Sequence, residues 1–233
     1  HRQMTVRWPK SVAATGMRLA ITLADVGALR GFVIRASVRH NCGLEGGRRT
    51  MPNVVVYVHD FRSSGVVRNA LDYARRLARD HRTTLVAGYG QGLFQDAANA
   101  GLFEVVTLAD VPGTASRAMS VPRLRRWLQS QDSGALLSVG NMGHPTCYWA
   151  TRGNQRFRRI YRISNAIDRD AGAIDRFRRI WMGMLVKDAA RIALVGGVNS
   201  QVPPFADALA RGQSVVIPNG VDRDLARRQA AAP

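Results

Sequence analysis

Short runs of apolar residues alternate along most of this chain with segments whose apolar positions recur at helical spacing. Val54, Val55, Val56, Tyr57 and Val58 form an unbroken run, the pattern of a strand covered on both faces. A Ser/Gly loop follows at 62–65. Val67, Leu71, Ala74, Leu77 and Ala78 then fall on one helical face, with Arg75, Arg76 and Arg79 on the other. The same reading predicts strands over 83–87, 105–108, 135–139, 161–164, 191–195 and 215–217, and helices over 121–130, 174–190 and 203–209. Pro122 is expected in the first turn of the 121–130 helix, where a missing N–H is tolerated. Strands alternating with helices predict βαβ units: an α/β fold with a Rossmann-like, mainly parallel sheet flanked by helices.

Residues 1–50 are basic and weakly periodic, and they end in a polar cluster at 43–50. They are expected to be an N-terminal extension, with the α/β domain over 51–222 and a polar tail over 223–233. The apolar stretch 16–36 is interrupted by Arg18, Asp25, Arg30 and Arg35, which argues against a membrane span of about 20 apolar residues. Cys42 and Cys147 fit neither a zinc site nor a disulfide framework. A reduced, cytoplasmic protein is expected.

Charge changes the picture more than composition does. The net charge is +18. One reading is a polyanionic partner. The other is coding bias: only Lys10 and Lys187 are lysines, only Glu45 and Glu104 are glutamates, and arginine fills ordinary surface positions. Bias accounts for most of the charge. The runs Arg123-Arg125-Arg126, Arg156-Arg158-Arg159 and Arg176-Arg178-Arg179 still add a weak attraction to an anionic membrane face.

Open parallel sheets bind ligands at the carboxyl ends of their strands, so candidate chemistry is sought in the loops there. After the first strand, Ser63-Ser64-Gly65 opens a helix whose N–H groups could meet a phosphate or hydroxyl; a plain N-cap is the commoner use. Neither the three-glycine dinucleotide fingerprint nor a P-loop is present. After the fourth strand, Gly140-Asn141-Met142-Gly143-His144 allows tight turns, and His144 is expected to project into the cleft as a hydrogen-bond donor or proton carrier. Arg162 and Asn165 place polar groups at the end of the fifth strand. Arg162 suits a phosphate or carboxylate, or an ion pair with Asp168 or Asp170.

Taken in order, these segments resemble the N-terminal half of the GT-B glycosyltransferases, specifically the large retaining family with two Rossmann-like halves. The glycine-led turn and helix 64–81, the loop 140–144, the strand Arg162-Ile163-Ser164-Asn165, the segment 189–200 and above all Pro218-Asn219-Gly220-Val221-Asp222 carry the likeness. Ser64 stands where the family usually has a second glycine. The resemblance implies transfer of a sugar from a nucleotide-sugar to an acceptor hydroxyl, with no cofactor and usually no metal. It implies Ser64 and Gly65 near the donor phosphates and a catalytic or polar role for His144. Asn141, Arg162 and Asn165 would contact a sugar or lipid-linked acceptor. On this reading the chain stops before the donor-binding half, is inactive alone, and works in the cytoplasm, peripherally on the inner membrane face. A non-catalytic binding module is the main alternative. A nucleotide-dependent dehydrogenase lacks its fingerprint, and a nucleic-acid-binding protein lacks a reading motif or aromatic platform.

Overall fold

The apolar run at 54–58 becomes an interior strand, third from one edge of a seven-stranded sheet. The computed structural model describes residues 17–22, 33–38, 52–99, 102–110, 116–164, 173–196 and 198–217. The chain divides into two units: Asn53–Asn219, and a second made of His1–Pro52 with Gly220–Pro233. In the second unit β1 (Met17–Thr22) pairs antiparallel with β2 (Val33–Val38), Met17 opposite Val38 and Thr22 opposite Val33.

The larger unit runs β3 (Asn53–Val58), α1 (Gly65–Leu77), β4 (Arg82–Ala87), α2 (Gln95–Asn99), β5 (Glu104–Thr107), α3 (Ser116–Gln129), β6 (Gly134–Ser138), α4 (His144–Thr151), β7 (Phe157–Ile163), α5 (Ala173–Asp188), β8 (Arg191–Leu194), a 3-10 turn (Val198–Gln201), α6 (Phe205–Ala210) and β9 (Ser214–Val216). The strands lie in the order β5-β4-β3-β6-β7-β8-β9, and every pairing is parallel. From β3 the chain winds outward through β4 to β5, then returns to β6 and winds the other way. The loops after β3 and β6 therefore diverge from adjacent strands, which opens a crevice at their carboxyl ends.

The core follows from the sequence pattern. All six residues of β3 are buried, as are Val67, Ala70, Leu71, Ala74 and Leu77 on the inner face of α1. Leu136, Tyr161, Leu185 and Ile192 continue the core toward β8. One close approach depends on glycine. A Cβ on Gly134 would lie 2.3 Å from the Asn53 carbonyl oxygen, so any side chain there would push β6 off β3 at its first residue.

Several elements differ from the sequence reading, each for a physical reason. Helix α3 begins at Ser116 rather than 121, which puts Pro122 inside the helix. Ser120 is buried and extends the Leu124 and Leu128 stripe one turn upstream, and a serine gives no apolar signal. Strand β7 begins at Phe157, not 161. Arg158 and Arg159 break its apolar run, yet Arg159 is accommodated by an ion pair to Asp188 at 3.0 Å. The sequence pattern assigns no element to α4 beyond the turn at its start. Six of its eight residues are buried, so it shows no polar face to give the 3.6-residue period; Pro145 near its start was the available signal. The candidate Asn165, its neighbours Asp168 and Asp170, and the 218–222 segment lie outside the described residues. No helix among the described residues is long and apolar enough to cross a membrane.

Candidate functional site

Two turns leave the carboxyl ends of the adjacent parallel strands β3 and β6. In the first, Asp60 organises the chain leaving β3: its carboxylate accepts from the Arg62 N–H at 3.2 Å and from Arg62 Nε at 2.8 Å. Ser64 caps α1, its hydroxyl accepting from the Val67 N–H at 3.2 Å. Ser63, Ser64 and Gly65 are exposed. A Cβ built on Gly65 meets nothing within 4 Å, so nothing in the described fold requires glycine there. The positive end of the dipole of this 13-residue helix lies at that exposed turn, with the Val67 N–H taken by Ser64.

The second turn is packed tightly. A Cβ on Gly140 would lie 2.5 Å from Val66 Cγ1, and one on Gly143 would lie 3.0 Å from the Tyr57 ring. Both glycines serve close approach between the β6–α4 turn and the elements around β3. His144 opens α4 and is fully buried, so it does not project into the cleft as the sequence suggested. Its Nδ1 lies 2.7 Å from Ser138 Oγ, and its ring meets Tyr161 edge-on at 5.3 Å. Burial lowers its pKa to about 3, partly opposed by a contact to the Arg162 main chain and reinforced by the Arg162 charge. Nε2 has no partner of good hydrogen-bond geometry among the described residues. A group with that pKa is neutral near pH 7 and can exchange hydrogen bonds, but it cannot carry a proton through its own titration there.

Arg162 is only 2% exposed. Its Nε donates to the Tyr73 hydroxyl at 3.1 Å and its Nη1 to the Val139 carbonyl at 3.4 Å, with the guanidinium 5.8 Å from the Tyr73 ring centre. It thus ties the end of β7 to α1 and to the end of β6, beneath the crevice.

Sequence reasoning passed over His59, at the end of β3. Its ring meets Tyr89 edge-on at 5.5 Å. Burial lowers its pKa; Asp60 opposes this, and Arg117 and Arg62 add to it. Arg117, from the start of α3, also donates to Met142 Sδ in the β6–α4 turn. The ends of β3, β4 and β6 and the head of α3 therefore surround one rim. Three buried polar atoms on the carboxyl ends of β3, β6 and β7 lack partners among the described residues: His59 Nδ1, Asn141 Oδ1 and Ser164 Oγ. Leaving such atoms unpaired costs about 1–3 kcal/mol each. The available signal for His59 was its place directly after the fully buried strand β3.

Strand order with a reversal point between β3 and β6 defines a doubly wound, Rossmann-like α/β fold. Two solved structures share that fold. One is Alr3699/HepE of Anabaena, solved with UDP and glucose: 14% identity, TM-score 0.56, covering 78% of this chain and 50% of that one. The other is UGT2 of Phytolacca americana, solved with UDP-2-fluoro-glucose and pterostilbene: 12% identity, TM-score 0.51, covering 80% of this chain and 58% of that one. This chain thus spans between half and three-fifths of the length of those proteins, and identities this low establish the fold alone. The sequence matches no family model and no curated protein.

Proposed function

We propose that Asn53–Asn219 is the acceptor-side half of a glycosyltransferase that moves a sugar from a nucleotide-sugar to an acceptor hydroxyl. The observation that supports this best is that the adjacent parallel strands β3, β6 and β7 carry His59, Asn141 and Ser164 just beyond their carboxyl ends, where the strand order reverses and the chain turns into α1. Polar side chains of this kind suit a polyhydroxyl acceptor, and the Ser64–Gly65 turn suits the donor phosphates. Asn141 and Asn165 contact the acceptor in this reading. Arg162 and His144 act from beneath: Arg162 holds Tyr73 and Val139, and His144 holds the Gly140–Gly143 turn through Ser138. His144 remains neutral and acts on the fold of the turn, not on the sugar. His59 is the better-placed group for direct contact, because it is only half buried.

The nucleotide-sugar is a substrate, and the reading calls for no bound cofactor. A second, donor-binding half completes the cleft, since positioning and charge stabilisation need both walls. Exposed Phe177 and Ile180 on α5, at 71% and 57%, lie among Arg176, Arg178 and Arg179. That mixture supports an anionic membrane face as the place where a lipid-linked acceptor is met. The alternative reading is a module that holds an acceptor without chemistry.

The test is turnover of a panel of nucleotide-sugars by the chain as it stands and by the chain joined to a donor-binding half. Activity in the joined protein, reduced at least tenfold by His59→Ala, is the expected result. Acceptor binding without turnover in either form would select the binding module.

A further inference from the structure

A second polar cavity lies at the other end of the strands, by the start of β6 and β7. Arg125 and Gln129 of α3, Arg152, and Asn154, Gln155 and Arg156 of the α4–β7 loop line a cavity of about 460 Å³. No carboxylate lines it. The ion pairs among the described residues engage Arg62, Arg75 and Arg159, and none engages the three arginines here.

Each of the three is anchored by a neutral acceptor. Arg125 donates to the Trp149 and Ala150 carbonyls at the end of α4. Arg152 Nη1 donates to the Tyr148 hydroxyl at 2.8 Å, and its guanidinium lies 5.7 and 5.3 Å from the Tyr148 and Trp149 ring centres. Arg156 Nη2 donates to the Gln131 carbonyl at 2.7 Å. These bonds fix the side chains while most of the five N–H donors of each guanidinium stay available. Coding bias explains why surface positions carry arginine. It does not explain three anchored guanidinium groups around one open cavity without a counter-charge.

We propose that this cavity binds a phosphate-bearing anion, either a diphosphate or a phosphorylated head group. Tetrahedral phosphate oxygens accept from several guanidinium forks at once. The volume falls within the roughly 300–1,000 Å³ of ligand sites and exceeds what one bare phosphate fills. Gln129, Asn154 and Gln155 add neutral donors for ester or hydroxyl oxygens. The site is separate from the crevice at the carboxyl ends of the strands, and its test reads binding rather than turnover.

The experiment titrates the whole chain with inorganic pyrophosphate by calorimetry. In parallel, it measures co-sedimentation with phosphatidylcholine vesicles with and without phosphatidylglycerol. Saturable pyrophosphate binding indicates a soluble ligand; saturable binding to the anionic vesicles alone indicates a head group. In either case Arg152→Gln combined with Arg156→Gln should weaken binding at least tenfold, Arg156→Gln alone about threefold, and the control Arg75→Gln on α1 not at all. The exposed single variant keeps the test decisive if the double variant fails to fold. Binding of neither probe, an unchanged affinity in the Arg156 variant, or an equal loss in the Arg75 control overturns the proposal.

Discussion

The turn after β3 and the turn after β6 flank the same crevice, yet their glycines do different things. In the β6–α4 turn, Gly140 and Gly143 are there because Val66 and Tyr57 leave no room for a Cβ, and His144 is locked below them against Ser138 and Tyr161. In the β3–α1 turn, Gly65 has open space around it and Ser64 is an exposed cap. One turn is shaped by packing inside the chain. In the other, no packing inside the chain accounts for the glycine. A Gly/Ser-rich loop at a strand end is therefore not one kind of signal, and only the space around each Cβ tells the two apart.

Substitutions that add a Cβ should separate the turns most sharply. Gly140→Ala must displace a stiff valine or the turn itself, and is expected to destabilise the domain by about 1–3 kcal/mol in chemical denaturation. Unchanged stability would mean that the turn shifts freely and that its glycines are not packing residues.

The next effect is in pH. His144 has a folded pKa near 3 against an ordinary value of about 6.5. Its contribution to stability is therefore fully present above about pH 6.5 and declines as the pH falls from there toward 3, because the unfolded chain binds the proton first. Between pH 6.5 and 5 the wild-type chain should lose about 1–2 kcal/mol that His144→Gln does not lose. Parallel stability profiles for the two proteins would show that His144 is not buried as a neutral ring. His59, shifted in the same direction, steepens the curve in both proteins and leaves the difference intact.

Smaller effects belong to the open turn. Ser64→Ala removes the bond to the Val67 N–H and should cost about 1 kcal/mol. Gly65→Ala should be neutral or stabilising by up to about 1 kcal/mol, since it adds a helix former where nothing clashes. In the protein joined to a donor-binding half, the same Gly65→Ala should lower turnover despite the unharmed fold. Turnover that rises or falls only with stability would remove the turn from the donor contact.

Much of the sheet was readable because its strands carry their own signal. The apolar run at 54–58, the arginine-backed helix after it and Ser64 before that helix all appear in the fold as the periodicities imply. Those features depend on neighbours a few residues apart. Helix α4 was hidden because burial on nearly every side erases the polar face that marks a helix. The early part of β7 was hidden because Arg158 and Arg159 look like surface until Asp188, from another element, supplies the ion pair for Arg159.

The site divides in the same way. Sequence alone located the ends of β3, β6 and β7, since strand order and loop composition can be read along the chain. It also marked Ser64, Gly65, Asn141, His144 and Arg162 as residues of those ends. Tertiary structure decided that His144 and Arg162 lie beneath the crevice rather than in it, that His59 stands on its rim, and that three arginines from α3 and the α4–β7 loop share one cavity. Exposure, proton affinity and convergence are set by what packs from distant parts of the chain, and a one-dimensional pattern does not carry that information.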